Sequence, residues 1–243
     1  MFVLTQKESK ILYEIKDILN FGYVKEFEGF SSSGPSGTEV PSGRFIVRDQ
    51  SNILLLFHLF NGNLHLKYKM DQLVEWSVLW NSKNSNKEKL SVITELVKFS
   101  FNNSWFSGFT LLLSLSLRSI KGGCSAADAE GCFNVYVSKS SKAISLRFIV
   151  DQKEGLPLFN QLKDILGSIY ARKNNNYRFA ITNINKLDLI IKYFNVYVLR
   201  SKKQFAFEKW KVIYNCVLNK EHKTPEGMEN LKELSLLINK DND

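Results

Sequence analysis

Between residues 132 and 183 the chain switches its hydrophobic period twice. Cys132–Lys139 and Ile144–Gln152 alternate apolar and polar residues, the pattern of two half-buried strands. Leu156–Leu166 changes to a helical spacing, with Leu158, Leu162 and Ile165 on one predicted face. Alternation returns in Ser168–Lys173 and Tyr177–Asn183, a second hairpin around the good turn residues Asn174, Asn175 and Asn176. Lys186–Phe194 and Gln204–Leu218 follow as amphipathic helices. Thr224-Pro225-Glu226-Gly227 is an N-cap with proline at the first helical position, opening a last helix to about Asn239.

The same order of elements occurs earlier in the chain. Ile15-Lys-Asp-Ile-Leu19 recurs as Leu162-Lys-Asp-Ile-Leu166, an offset of 147. Arg44-Phe45 recurs as Arg178-Phe179 at an offset of 134, which holds through Trp76/Trp210 and Asn81/Asn215. The difference is 13 residues, the length of Ser31–Gly43, SSSGPSGTEVPSG. This stretch holds two of the four prolines of a chain otherwise rich in Lys, Asn, Ile, Phe and Leu. The count and the GC-rich codon composition together indicate an in-frame insertion into an AT-rich gene. An ordinary flexible loop is the competing reading, and either one keeps residues 31–43 outside the core. Phe2-Val-Leu-Thr-Gln-Lys-Glu8 matches Phe148-Ile-Val-Asp-Gln-Lys-Glu154, so the first copy starts at its second strand. The expected organisation is an incomplete first repeat over 1–100 and a second repeat over 101–243.

Composition narrows the partner. The 243 residues carry 33 Lys and Arg against 24 Asp and Glu, a net charge of +9, which favours a polyanionic partner. Three cysteines and three histidines, with no CxxC or HExxH spacing, support neither a disulfide framework nor a zinc site. The longest apolar run, near Phe109–Leu117, is far shorter than the roughly 20 residues of a membrane span. Met1–Lys10 lacks signal- or transit-peptide character. The expectation is a soluble protein made in the cell interior or inside an organelle, with no membrane partner.

Trp105-Phe-Ser-Gly-Phe-Thr110 and Asp128-Ala-Glu-Gly-Cys-Phe133 are the halves of one motif, WFSGFT and DAEGCF, separated by the 17 residues Leu111–Ala127. Joined, they resemble the signature of LAGLIDADG homing endonucleases. Leu218-Asn-Lys-Glu-His-Lys-Thr-Pro-Glu-Gly227 and the helix after it resemble the C-terminal region of single-chain members. The resemblance implies an α+β fold of two pseudo-symmetric αββαββα repeats, each with a four-stranded antiparallel DNA-binding sheet. Here the first repeat would lack its motif helix and first strand, and 111–127 would be a second insertion.

What the resemblance implies for residues is specific. Glu130 would be the metal ligand of the second half, binding a divalent cation such as Mg²⁺ through oxygen. Gly108, Asp128 and Gly131 would pack the motif helix. Lys203 matches an active-site lysine that would assist phosphate cleavage electrostatically, with Lys69 as its repeat partner. A solvated lysine at a helix start is an equally weighted reading of Lys203. Strand alternation selects Asn134, Tyr136, Ser138, Arg147, Arg172, Arg178 and Thr182 as DNA-contacting candidates, with Lys25, Arg44 and Arg48 in the first half. Phe133, Val135, Val137, Phe148, Val150, Phe179 and Ile181 would pack against helices, and Trp76 and Trp210 would be core residues of equivalent helices.

Two departures from the family pattern bear on activity. The first motif is missing from the sequence, and the second is split inside its helix by a segment containing Gly122-Gly123. One recognisable metal ligand stands where the mechanism needs two. The expected function is site-specific, metal-dependent cleavage of double-stranded DNA by family resemblance, with impaired activity in this chain. Two alternatives stand beside it. One is a non-catalytic nucleic-acid binder or RNA maturase acting on intron RNA; the other is a decaying relic. The resemblance further implies a monomer encoded in a mitochondrial genome of fungal type.

Overall fold

The computed structural model describes residues 1–6, 8–27, 42–95, 98–112, 132–138, 143–200 and 202–238. The chain divides into two compact units, Met1–Lys98 and Phe99–Asp243.

The first unit runs β1 (Phe2–Gln6), α1 (Ser9–Leu19), β2 (Tyr23–Phe27), β3 (Ser42–Val47), α2 (Gln50–Phe60) and α3 (Lys67–Lys83). Its antiparallel sheet has the order β1-β3-β2, with Leu4 and Val24 both opposite Phe45. Strand alternation sends Phe2, Leu4, Val24, Phe45 and Val47 to one face, where they join Leu12 of α1, Ile53, Leu56 and Phe57 of α2, and Leu73 and Trp80 of α3. Trp76 is partly buried against this core, its ring 6.0 Å from Phe57. Asp49 caps α2 by accepting from the Asn52 N–H at 3.0 Å. The α1–β2 connection passes so close beneath Phe45 that a Cβ on Gly22 would collide with that ring, and Gly22 has φ +78°.

The second unit runs α4 (Trp105–Leu112), β4 (Cys132–Val137), β5 (Ile144–Lys153), α5 (Leu156–Lys163), β6 (Ser168–Ala171), β7 (Asn176–Ile181), α6 (Ile184–Val196) and α7 (Lys202–Leu218). A single 3₁₀ turn, Glu221–Lys223, then leads into α8 (Pro225–Leu237). The sheet order is β4-β5-β7-β6, all antiparallel. Phe133 lies within 5.3–5.7 Å, ring to ring, of Phe148, Phe194, Phe207 and Trp210. Burying each such ring is worth about 1.5–3 kcal/mol. Phe148, Val150, Phe179 and Ile181 are also buried on this face, while Val135 and Val137 are half-buried.

Most predicted boundaries agree within a few residues. Asn174 and Asn175 take positive φ, the left-handed turn that asparagine tolerates. The Thr224 hydroxyl accepts from the Gly227 N–H at 3.0 Å, as an N-cap should. One face differs: α5 ends at Lys163, so the chain turns and buries Leu166, and Ile165, expected on one face with Leu158 and Leu162, is 49% exposed.

The β-ladders refine the repeat arithmetic. Lys25 faces Arg44 as Tyr170 faces Arg178, which sets the β2/β6 offset at 145. The hairpin between β2 and β3 is therefore 11 residues longer than its counterpart, and two further extra residues fall between α1 and β2. Ser42 and Gly43, assigned to the insertion by counting, belong to β3 and pair with Phe27 and Glu26. The remainder of 31–43, and of 111–127 beyond Leu112, lies outside the described residues. No helix among the described residues is long and apolar enough to cross a membrane.

Replacing Gly22 by alanine should destabilise the first unit by about 1–3 kcal/mol, because the residue must keep a left-handed φ and displace Phe45. Urea titration followed by Trp76 and Trp80 fluorescence measures it; an unchanged midpoint would contradict the packing described.

Candidate nucleic-acid interface

Each sheet has one face on its helices and one turned away. In the second unit, Asn134 opposes Arg147 and Tyr136 opposes Ser145 across β4 and β5. Asp151 opposes Arg178 across β5 and β7, and Tyr170 opposes Arg178 from β6. Because Phe133, Phe148 and Phe179 point inward, these neighbours share the outer face. Arg147 lies over the Tyr136 ring at 5.6 Å. Ser138, Arg172 and Thr182 continue the strands at their ends, with Arg172 and Thr182 exposed. The Arg172 N–H closes the β6–β7 turn on the Asn176 carbonyl at 2.8 Å.

In the first unit the outer face carries Thr5, Arg44 and Lys25 in one cross-strand row, with Val3, Ile46 and Tyr23 in the next. Arg44 and Lys25 lie over the Phe27 ring at 4.7 and 5.1 Å. Arg48 lies over Tyr23 at 5.8 Å. Lys25, Arg44 and Arg48 are exposed. Cations resting on aromatic rings beside open backbone suit a polyanion: the ring restrains the side chain while its N–H groups face solvent.

Arg178 is differently placed from what alternation alone suggests. Its Nε and Nη2 donate to both Asp151 carboxylate oxygens, at 2.8 and 2.6 Å, a two-point pair only 17% and 11% exposed. The guanidinium is on the outer face but is already committed to an internal carboxylate.

The motif helix α4 is fixed at both ends. Tyr193 on α6 accepts from the Ser107 N–H at 3.1 Å and donates to the Asn103 carbonyl at 2.7 Å. The Ser107 hydroxyl donates to the Val198 carbonyl at 3.2 Å. Burial raises the Tyr193 phenol above its ordinary pKa, since ionisation would strand a charge under Phe101 and Phe106. At the other end, Lys203 Nζ donates to the Thr110 carbonyl at 2.7 Å, satisfying a last-turn carbonyl where the helix dipole is negative. Lys203 is thus half-buried and held at the break in the motif, whereas its repeat partner Lys69 is exposed and lies over Tyr68. A Cβ built on Gly108 would meet nothing within 4 Å, so that stretch of α4 surface is open.

Glu130, Asp128 and Gly131 lie outside the described residues. Among the described residues no group of three or more His, Cys, Asp or Glu could hold a metal ion. Sequence reasoning did not single out Asp151, Tyr193, or the ring partners Tyr23 and Phe27. For Asp151 the signal was present: it falls two residues from Ile149 and four from Arg147 on the outward phase of β5.

The fold and the sheets define the chain as an α+β protein with cations on the outward sheet face of each unit. Residues 127–214 match the model of the LAGLIDADG endonuclease family. The chain is 31% identical over 246 aligned positions to the probable intron-encoded endonuclease 4 of Neurospora crassa, covering 98% of this chain and 40% of that protein. The chain thus spans well under half the length of that relative. Its fold is similar to that of the I-LtrWI LAGLIDADG homing endonuclease bound to target DNA, at 21% identity and a TM-score of 0.66, covering 96% of this chain and 85% of that one. I-SmaMI, described with an uncleaved DNA target and calcium ions, gives 18% identity and a TM-score of 0.65, covering 98% and 87%. Over residues 127–214 the chain is thus of the LAGLIDADG endonuclease type, and its fold as a whole is similar to that of solved homing endonucleases.

Tyr193→Phe should cost about 1–3 kcal/mol by leaving the Ser107 N–H and Asn103 carbonyl without their partner. The raised phenol also sets a sign. Above the ordinary tyrosine value of 10.0 the unfolded chain loses this proton while the folded chain keeps it, so stability falls as pH rises beyond about 10. Denaturant midpoints from pH 8 to 11 should fall for the wild type and fall less for the phenylalanine variant. Parallel curves would contradict the role given to Tyr193.

Proposed function

We propose that this chain binds double-stranded DNA through the outer faces of its two sheets, as a homing-endonuclease-like protein whose cleavage is impaired. The observation that carries this is the clustering of Lys25, Arg44 and Arg48 on one outer face and of Arg147 and Arg172 on the other, above cores that allow no other orientation. Phosphate contacts of this kind position a duplex, and in this reading Asn134, Tyr136, Ser138 and Thr182 meet base edges.

Impaired cleavage rests on the interruption of the motif. In this sequence Thr110 is followed by Leu111-Leu112, which continue α4, and not by Asp128-Ala129. Glu130, as the metal carboxylate, is thereby separated from the helix that would carry it to the scissile phosphate. When bound, a divalent cation such as Mg²⁺ supplies the Lewis acidity of this chemistry. Lys203 would hold a positive charge beside the end of α4, where the family resemblance puts phosphate cleavage. A monomer made from a fungal mitochondrial intron completes this reading.

Intron RNA is a second reading, favoured by one feature. Tyr136 and Tyr170 are 54% and 52% exposed on the outer face, and exposed rings stack unpaired bases.

The purified chain should bind random duplex DNA with an affinity that falls steeply with salt. Contacts from Lys25, Arg44, Arg48, Arg147 and Arg172 predict a slope of about −4 to −5 in log K against log salt. Glu130→Gln should bind as the wild type does, and supercoiled plasmid should survive Mg²⁺ without double-strand cuts. Salt-independent binding would overturn the interface, efficient Mg²⁺-dependent cutting would overturn the impairment, and preference for intron RNA would select the second reading.

A further inference from the structure

The two sheets present the same register row with different charge. In the first unit the row is Thr5, Arg44 and Lys25, across β1, β3 and β2. In the second it is Asp151, Arg178 and Tyr170, across β5, β7 and β6. The strands correspond by repeat, so a threonine stands where the other copy has an aspartate, and a lysine where it has a tyrosine. The first row carries two positive charges. The second sums to zero.

The geometry points to Asp151 as a positioning residue that withdraws Arg178 from phosphate binding and leaves the equivalent grip to Arg44. This rests on the duplex-binding reading. Asp151 takes two guanidinium donors at 2.8 and 2.6 Å, and both side chains are largely shielded from water. Pulling Arg178 onto a phosphate would strand a shielded carboxylate, an outcome that costs more than the contact returns. Arg44 faces the neutral hydroxyl side chain of Thr5 and rests on Phe27, 4.7 Å from its centroid, with its donors exposed. Arg44 can therefore exchange water for phosphate or a guanine edge without breaking an ion pair to any described residue. The fixed Asp151–Arg178 pair instead offers a duplex an oriented, neutral surface. The two halves of the duplex would thus be gripped by unequal charge, with Lys25, Arg44 and Arg48 on one and Arg147 and Arg172 on the other.

The test exchanges the two residues in the full chain. Duplex DNA of random sequence is titrated at several salt concentrations, and each protein is also eluted from heparin with a salt gradient. Thr5→Asp should lower the salt slope by about one contact, as Arg44→Gln does, and elute earlier. Asp151→Thr should raise the slope by about one and elute later, and Arg178→Gln should change it little. Ser51→Asp, the same charge change on a helix, controls for net charge and should leave the slope unchanged. Equal loss from Arg178→Gln and Arg44→Gln would overturn the assignment, as would Thr5→Asp behaving like Ser51→Asp. The Thr5 variant lies at an exposed position and keeps the test open should the Asp151 variant fold poorly. No duplex binding by the wild type, with heparin elution in the stated order, would sink the DNA reading and support the row assignment. Heparin elution unaffected by all substitutions would sink the assignment itself.

Discussion

Phe133 can be buried in only one way, and the outer surface of the second sheet follows from it. Its ring sits among Phe148, Phe194, Phe207 and Trp210, drawn from the neighbouring strand and from two helices. A strand has period two, so fixing Phe133 inward fixes Asn134 and Tyr136 outward; a slip by one residue would exchange the faces. The Trp210 indole N–H, donating to the Asn134 carbonyl at 3.2 Å, ties the same strand to α7. Phe45 does the equivalent work in the first unit, and Arg44 is outward because Phe45 is inward.

The repeats share this constraint and diverge where it does not reach. The ladders superpose residue for residue from Phe2 and Phe148 through Val47 and Ile181. Outward positions are free to vary, and there the copies differ in charge, aromatic support and the length of the β2–β3 hairpin. Lys203 reaches the Thr110 carbonyl, whereas its repeat partner Lys69 is exposed and lies over the Tyr68 ring. A duplicated scaffold has thus kept its core and altered what it offers to a ligand.

Much of this was legible in the sequence because both signals are periodic. Alternation gave the faces of β4, β5 and β7, and turn and cap chemistry gave Asn174, Asn175 and Thr224. What was hidden is tertiary. Nothing in the local pattern says that Arg178 reaches Asp151, 27 residues away, rather than solvent. The hydrophobic spacing of Leu158, Leu162 and Ile165 extends a helix that the chain ends early to bury Leu166. Counting assigns 13 extra residues to one place, while the ladders divide them between two connections. For Glu130 the family motif supplies a role that no described neighbour bears on.

The central claim is that the outer sheet faces, and not the helices, meet DNA. Arginine footprinting addresses it directly: the chain is modified with phenylglyoxal with and without saturating duplex DNA at low salt, and each site is quantified by mass spectrometry. Arg44, Arg48, Arg147 and Arg172 should be protected by DNA, with Arg200, in the α6–α7 connection, modified to the same extent in both. Protection of Arg200 alone, with the sheet arginines modified equally in both samples, would contradict the account.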